Sequence, residues 1–411
     1  MAKKGLTCFQ GFSRRLATSY GKSSGLLNFS FKTASFKSIC GDFEIMHHQW
    51  SEEDLKDLEI RPIELAETIP ARWFTASSMD QVDREQLLAN TWLYVGHVSQ
   101  VSKRGDYFVD EVLGRPILVV RNLSDEILCF SNVCRHRGGP VALASGSSRV
   151  LRCAYHAWSY NLDGQLVGAP RFEGVENFEK NNCRLPRYRV EISDGFIFVN
   201  YSATAPSLSE HLQGISETIS PIDLKQMRFQ KRVVYEVKAN WKVYIDNYME
   251  GYHIQSVHPK LAGILDVSGY KTTILDNKVL QYGPLSGEDN PYHTGGAAYY
   301  YYVFPNLMLN ILPGRVQVNS ILPVDANRCL TIFDLYLSET DPEKLAQRLS
   351  DDLEVSDLVQ SEDIAICEKV QTGLKSGSYN KGRICVQEEL GVWAFQNQLR
   401  RAYSRIAGLN R

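Results

Sequence analysis

Apolar residues in this chain recur in two rhythms. Between residues 92 and about 201 they come as short runs broken by turn residues: Trp92-Leu93-Tyr94-Val95, Pro116-Ile117-Leu118-Val119-Val120, Ile127-Leu128-Cys129-Phe130 and Phe196-Ile197-Phe198-Val199. Runs of this length rich in β-branched and aromatic residues predict strands, and Asn161-Leu162-Asp163-Gly164 predicts a hairpin turn. A small β domain over 92–205 follows, ending in the polar, turn-rich stretch from Ser202 to Pro221. Ahead of it, residues 42–91 read as a helical lead-in, with Glu52, Glu53 and Asp54 near its start and Leu87-Leu88 at its end.

From residue 206 to the C-terminus the spans are longer. Val233 to Lys238 predicts a strand, and Asn240 is a suitable N-cap for a helix beginning at Trp241, because its side chain accepts from a free backbone N–H. Tyr299 to Ile311, Val316 to Leu322 and Leu330 to Leu337 predict three successive strands, joined at Pro313-Gly314 and Asp325-Ala326-Asn327, hence an antiparallel sheet. Pro342 opens a helical period that reaches Thr372, where Gly373 is a natural stop. The expected class is α+β, a β domain followed by a mixed domain on an antiparallel sheet.

Composition narrows the function. At 411 residues, 44% hydrophobic and 22% charged, the chain is long enough for two packed domains. A net charge of -2 offers no footprint for nucleic acid, and no apolar run is long enough to span a bilayer. Nine cysteines, an odd count in a long chain, read as reduced thiols rather than a disulfide framework. Residues 1–41 are rich in Lys, Arg, Ser and Thr and hold no acid before Asp42, the composition of an organelle transit segment; a flexible basic tail has the same composition. Plastid, mitochondrion and, for an uncleaved tail, cytoplasm stay open on this ground.

Two constellations carry chemistry. Cys134-Arg135-His136 and Cys153-Ala154-Tyr155-His156 supply two Cys/His pairs in the order of a Rieske [2Fe–2S] cluster, with two thiolates for one iron and two imidazoles for the other. Neutral imidazoles lower the cluster's negative charge and raise its potential, which suits an electron relay. Structural zinc also takes two Cys and two His, but usually groups them as C-x2-C and H-x3-5-H.

The second constellation lies after Asn240. Trp241, Tyr244, Ile245, Tyr248 and Tyr252 form an apolar helical stripe, while Asp246, Glu250 and His253 share another face. His258 would lie about 140° further round an ideal helix than His253, so the two converge only if the helix breaks. Pro259 supplies a break, since the residue before a proline leaves the α region. Two His and one carboxylate hold ferrous iron in oxygen-activating enzymes, leaving open positions. Asp363 is the expected carboxylate: it shares a stripe with Ser356, Val359, Ile366, Cys367 and Val370, whereas Glu362 is expected to point away. The alternatives are a core Asp capping backbone amides and two packed histidines.

With the cluster pair upstream and Asn240-Trp241-Lys242 leading into Glu250-x2-His253-x4-His258, the chain resembles the α subunits of Rieske non-haem iron oxygenases over roughly residues 60–405. Tyr302-Val303-Phe304-Pro305-Asn306, Glu362-Asp363 and Tyr379-Asn380-Lys381-Gly382-Arg383 further resemble choline monooxygenases. The resemblance implies a Rieske domain before a helix-grip, START-like catalytic domain, with Asp363 as third iron ligand. It also implies assembly as a head-to-tail homotrimer, in which Glu250 links an iron imidazole to a neighbouring subunit's cluster; Asp246, on the same helical face, is expected to support the site from behind. Plant choline monooxygenases carry an Asp and an extra glycine here; Glu250-Gly251-Tyr252-His253 is more similar to bacterial relatives acting on carnitine and betaines.

The implied reaction is hydroxylation of a quaternary ammonium compound, choline first, toward glycine betaine. Dioxygen is consumed, and electrons come from a ferredoxin or a flavin/iron–sulfur reductase. A chloroplast stroma location is favoured by the same likeness. A trimethylammonium head must be recognised by aromatic faces. Tyr248, Tyr301, Phe304, Trp393 and Phe395 are the candidates. Three alternatives stay open: oxygenation of carnitine, another betaine or an aromatic ring, an electron carrier with a vestigial second site, and a zinc-stabilised binding protein.

Overall fold

The computed structural model describes residues 48–258, 270–285 and 296–409. The expected transit segment, the first six residues of the lead-in and Pro259 lie outside them. The lead-in is helical only in pieces: α1 (Glu52–Asp57), α2 (Ala71–Thr75), α3 (Ser77–Gln81) and a π turn at Val82–Leu87. Pro70 ahead of α2 and Ala76 between α2 and α3 take extended backbone angles, which is why no single helix forms.

The first sheet has the order β1-β10-β9-β4-β3-β2-β5, with β1 (Leu93–His97), β2 (Asp106–Val112), β3 (Arg115–Arg121), β4 (Ile127–Ser131), β5 (Gly146–Ser147), β9 (Arg187–Ser193) and β10 (Phe196–Asn200). A small sheet of β6 (Val150–Arg152), β7 (Ser159–Asn161) and β8 (Leu166–Gly168) carries the second Cys/His loop, and the Asn161–Gly164 turn joins its last two strands. Two short helices, α4 (Leu208–Leu212) and α5 (Ile215–Thr218), follow.

The second sheet is antiparallel throughout, in the order β11-β17-β16-β15-β14-β13-β12: β11 (Arg228–Val237), β12 (Lys271–Leu275), β13 (Lys278–Pro284), β14 (Ala297–Val303), β15 (Leu307–Leu312), β16 (Arg315–Asp325) and β17 (Arg328–Leu337). The strand expected over Tyr299–Ile311 is two strands. A turn at Phe304-Pro305-Asn306 folds β15 back on β14, pairing Tyr302 with Met308. Period-two alternation then splits the sheet's faces. Val279, Tyr302, Met308, Ile321 and Phe333 pack with the helices, whereas Leu280, Tyr301, Leu309, Val318 and Tyr336 pack with Trp92, Tyr94, Phe196 and Phe198 of the first sheet.

From residue 48 the chain is one compact unit. Its two large sheets are joined by a buried polar cluster as well as by apolar contact. Arg232 donates from Nε and Nη2 to the Asp334 carboxylate at 2.7 and 2.8 Å, from Nη1 to Asp110 at 2.5 Å, and from Nη2 to the Val95 carbonyl. The Tyr94 hydroxyl donates to Asp334 at 2.5 Å and also meets the Tyr336 hydroxyl. Asp110 and Tyr94 belong to the first sheet, Arg232 and Asp334 to the second.

Helices of the lead-in and of the second half of the chain cover the second sheet's inner face. Asn240 caps α6 (Trp241–Tyr248), its side chain accepting from Lys242 N–H at 3.1 Å. The helix stops at Tyr248, so the break falls at Met249–His253, ahead of the proline. Tyr252 is 60% exposed and is no part of the buried stripe. One further turn, α7 (Ile254–Val257), leads to His258, whose φ of -118° and ψ of 69° lie outside the helical region. Helix α8 (Pro342–Lys375) continues through Gly373 and ends at Ser376, with Gly377 at φ 76° as its left-handed stop. Its buried residues are Asp352, Gln360, Cys367, Gln371 and Leu374, while Val370 is exposed. Helix α9 is Leu390–Ile406. Asp83, on the π turn, accepts from Trp241 Nε1, Lys242 Nζ and Tyr403 Oη, fastening lead-in, α6 and α9 together in a dry core. Among the described residues no helix is long and apolar enough to cross a membrane.

Candidate active site

The two Cys/His loops close in the same way. Gly138 N–H donates to the Cys134 carbonyl and Ala157 N–H to the Cys153 carbonyl, both at 3.0 Å, with φ of 71° at Gly138 and 61° at Ala157. Both cysteines are buried, and a β-carbon at Gly139 would lie 3.4 Å from Cys153 Sγ and 3.1 Å from Tyr155 Cβ, so glycine lets the first loop pass over the second. The His136 and His156 rings are 4.7 Å apart, and His136 stacks on Trp158 at 4.8 Å. His136 Nδ1 is buried with no hydrogen-bond partner, the state of a nitrogen shaped to ligate a metal. Tyr160 Oη accepts from Arg135 N–H at 3.0 Å, leaving its own proton to donate to Cys134 Sγ at 3.2 Å. A hydrogen bond to a ligating sulfur tunes a cluster's potential. These four side chains fit a [2Fe–2S] cluster with two Cys and two His.

The second constellation converges at the turn after α6. His253 Nε2 and His258 Nε2 lie 3.6 and 3.0 Å from Asp363 Oδ1, and donor atoms of the three residues fall within 4.8 Å of one another. His253 Nδ1 donates to Glu250 Oε1 at 2.7 Å, and His258 Nδ1 donates to Glu362 Oε2 at 2.7 Å. Both imidazoles therefore keep their Nε2 for the shared centre, the arrangement in which a carboxylate behind a histidine fixes its tautomer. Hydrogen bonding to Asp363 raises the His258 pKa against its burial. Asn247 Nδ2 donates to Asp363 Oδ1 at 2.7 Å and orients it from α6. Glu362 faces the site, contrary to the sequence expectation. Two imidazoles and one carboxylate fit a mononuclear iron with open positions.

Residues 224–405 match the family described as ring hydroxylating alpha subunit (catalytic domain), and residues 91–179 match the Rieske [2Fe-2S] domain. A carnitine monooxygenase oxygenase subunit from Acinetobacter baumannii is 33% identical over 338 residues, 79% of this chain and 90% of its own length. The chloroplastic choline monooxygenase of Arabidopsis thaliana is 31% identical, over 80% of this chain and 81% of its own. The solved structure of a quaternary ammonium Rieske monooxygenase superposes with a TM-score of 0.77 at 32% identity, covering 84% of this chain and 99% of that one. The chain belongs to the Rieske non-haem iron oxygenases. Its class is that of the family's α subunits, with a Rieske [2Fe–2S] cluster and a mononuclear iron as cofactors, and with oxygen and electron-transfer partners.

Within this Rieske oxygenase the other expected residues take varied places. Asp246 does not touch the histidines; both its oxygens accept from Gln396 Nε2 on α9 at 3.1 and 3.0 Å, and Gln396 Oε1 accepts from Ile69 N–H. Asp246, Glu250 and Glu389 line a cavity of about 490 Å³ on the helical side of α6, with Phe74, Ile366 and Leu374 among its apolar walls. Burial pushes the Asp246 carboxyl up to about 8, against the Gln396 hydrogen bond. A carboxyl whose pKa is raised on folding contributes most stability below its unfolded value and loses it as pH rises through the folded one. Thermal unfolding of Asp246→Asn should therefore fall off less steeply than the parent's between pH 5 and 8; equal slopes would refute this.

Of the five aromatic candidates, only Tyr248 adjoins the turn that carries His253. Its hydroxyl donates to Asn310 Oδ1 at 2.7 Å, and its carbonyl accepts from Gln281, whose Oε1 accepts from Tyr270. Tyr301 packs on the opposite face of the sheet, toward the Rieske sheet. Phe395 is fully buried against Trp241 and Tyr302, and Trp393 Nε1 donates to the Arg61 carbonyl, which anchors the lead-in. Phe304 is held at the β14–β15 turn by its N–H to the Asn277 carbonyl. Glu362, Asn247, Gln396 and Tyr270 are the residues of this region that sequence reasoning missed. A β-carbon at Gly391 would sit 2.1 Å from the Met249 carbonyl oxygen, so α9 begins flush against the turn that carries Glu250 and His253.

Proposed function

We propose that this chain is a monooxygenase acting on a quaternary ammonium compound, with Cys134, His136, Cys153 and His156 holding the cluster and His253, His258 and Asp363 holding the iron. The relatives divide between carnitine and choline, so the class they share replaces choline alone as the first substrate. The observation that carries the reading is the convergence of two Nε2 atoms on one carboxylate oxygen, each imidazole backed by its own carboxylate. Bound iron with open positions supplies the oxygen activation that puts one oxygen atom into a C–H bond and releases the other as water, with two electrons and two protons.

The chain's own residues do the rest. Glu250 accepts from both the backbone N–H and Nδ1–H of His253, which fixes the first imidazole on the cavity side. From there it would bridge to a cluster histidine of a second copy in a head-to-tail homotrimer. A ferredoxin or a flavin/iron–sulfur reductase would charge the cluster. The ring faces of Tyr248 and Tyr270, on the sheet side of the same turn, suit a cationic head that donates no hydrogen bond. The chloroplastic relative favours a plastid destination for residues 1–41.

Anaerobically purified protein should show a Rieske visible and EPR spectrum and about three irons per chain, against two for an electron carrier. With reduced ferredoxin, oxygen uptake should respond to choline, L-carnitine or γ-butyrobetaine. Uptake with an aromatic acid and none with these amines rejects the substrate class; a colourless, zinc-loaded protein rejects the cofactors.

A further inference from the structure

The two carboxylates behind the histidines differ in origin. Glu250 reaches His253 from within the same turn and lines the acidic cavity. Glu362 reaches His258 across 104 residues of sequence, from α8, immediately before Asp363. Consecutive residues of an α-helix project about 100° apart. Glu362 and Asp363 accordingly straddle one imidazole, with Glu362 Oε2 2.7 Å from Nδ1 and Asp363 Oδ1 3.0 Å from Nε2. The ring between them is 2% exposed.

We infer that Glu362 is a positioning residue that fixes His258 in its Nδ1–H tautomer and thereby sets the affinity of the mononuclear site for iron. The inference rests on the iron assignment proposed above. A neutral imidazole carries one N–H and one lone pair, and the partner of one nitrogen decides which the other offers. With Glu362 accepting from Nδ1–H, the Nε2 lone pair faces the centre. Without it, the tautomer in which Nε2–H donates to Asp363 Oδ1 becomes the better-bonded state, and two ligands satisfy each other instead of a metal. Asn247 already holds the same Asp363 oxygen at 2.7 Å, so the carboxylate has little freedom to turn away from that competing bond. Glu250 plays the corresponding part for His253 but lies on the cavity wall, which separates the roles: Glu362 for holding metal, Glu250 for admitting electrons.

The test titrates Fe(II) anaerobically into full-length, cluster-loaded protein whose mononuclear site has been emptied by chelation. Glu362→Ala should bind iron about 10- to 100-fold more weakly than the parent, with an unchanged cluster EPR signal. Glu362→Gln, whose amide oxygen still accepts from Nδ1–H, should recover most of the loss. Glu362→Asp, which keeps the charge and shortens the reach, gives the same readout if the Ala variant does not fold. At saturating Fe(II), oxidation of the reduced cluster in a single turnover should slow in Glu250→Gln. Parental iron affinity in the Ala variant overturns the inference, as does a Gln variant as weak as the Ala one. A parent chain that takes up no third iron instead overturns the proposed function.

Discussion

Asp363→Ala will keep the visible and EPR signature of the [2Fe–2S] cluster while hydroxylation falls by at least about 10³-fold, equivalent to about 4 kcal/mol in transition-state terms. The reason is local. Asp363 Oδ1 is the point on which both Nε2 atoms and the Asn247 amide converge, and it brings the one negative charge of the donor triad. Two neutral imidazoles alone leave a divalent ion undercoordinated and its charge uncompensated. Iron per chain should drop from about three to about two. The cluster loops share no residue with this site, so they report on folding within the same sample. Retention of the third iron together with turnover would remove Asp363 from the site.

The second large effect is structural. Arg232→Met should lower stability by about 3–5 kcal/mol, since removing one partner of a buried pair strands the other charge. Asp334 has no exposed side-chain surface and cannot recover its hydration in place, whereas Asp110, 17% exposed, reaches solvent in part. Tyr94 and Tyr336 would lose the same anchor. The variant should unfold several degrees below the parent, with bleaching of the cluster following the same transition because the clamp spans both sheets. An unchanged midpoint would show that apolar contact between the sheets suffices without the clamp.

Strands β1, β3, β4 and β10 of the first sheet, the cap at Asn240 and the two Cys/His loops were legible because each has a local cause: a β-branched run, a side chain reaching its own helix end, a glycine beside sulfur; β2, β5 and β9 were not read. What escaped depends on distance. Glu362 was expected to point away because it lies off the helical stripe, and the buried residues of α8, Asp352, Gln360, Cys367, Gln371 and Leu374, exclude it as well. Glu362 belongs to neither stripe; its long side chain reaches round the flank of the helix to a histidine 104 positions away in sequence. The break after Tyr248 was placed ten residues late, because Pro259 is a visible breaker while the contact of Gly391 with the Met249 carbonyl is not encoded nearby. Tyr301 and Phe395 looked eligible as ligand-facing rings, but an aromatic residue in a strand or an amphipathic helix gives no sign of which neighbour will cover it.

The contact at Gly391 also orders events in time. Every residue of the cluster loops and of the sheet that frames them has been synthesised once β10 is complete. The turn bearing Glu250 and His253 is seated only when the last long helix arrives beneath it, after Asp363 has also emerged. The ligands of the cluster therefore emerge first, and the iron ligands and their seat last. A polypeptide ending before residue 390 should keep all three iron ligands without the seat of their turn, and hold the third iron weakly.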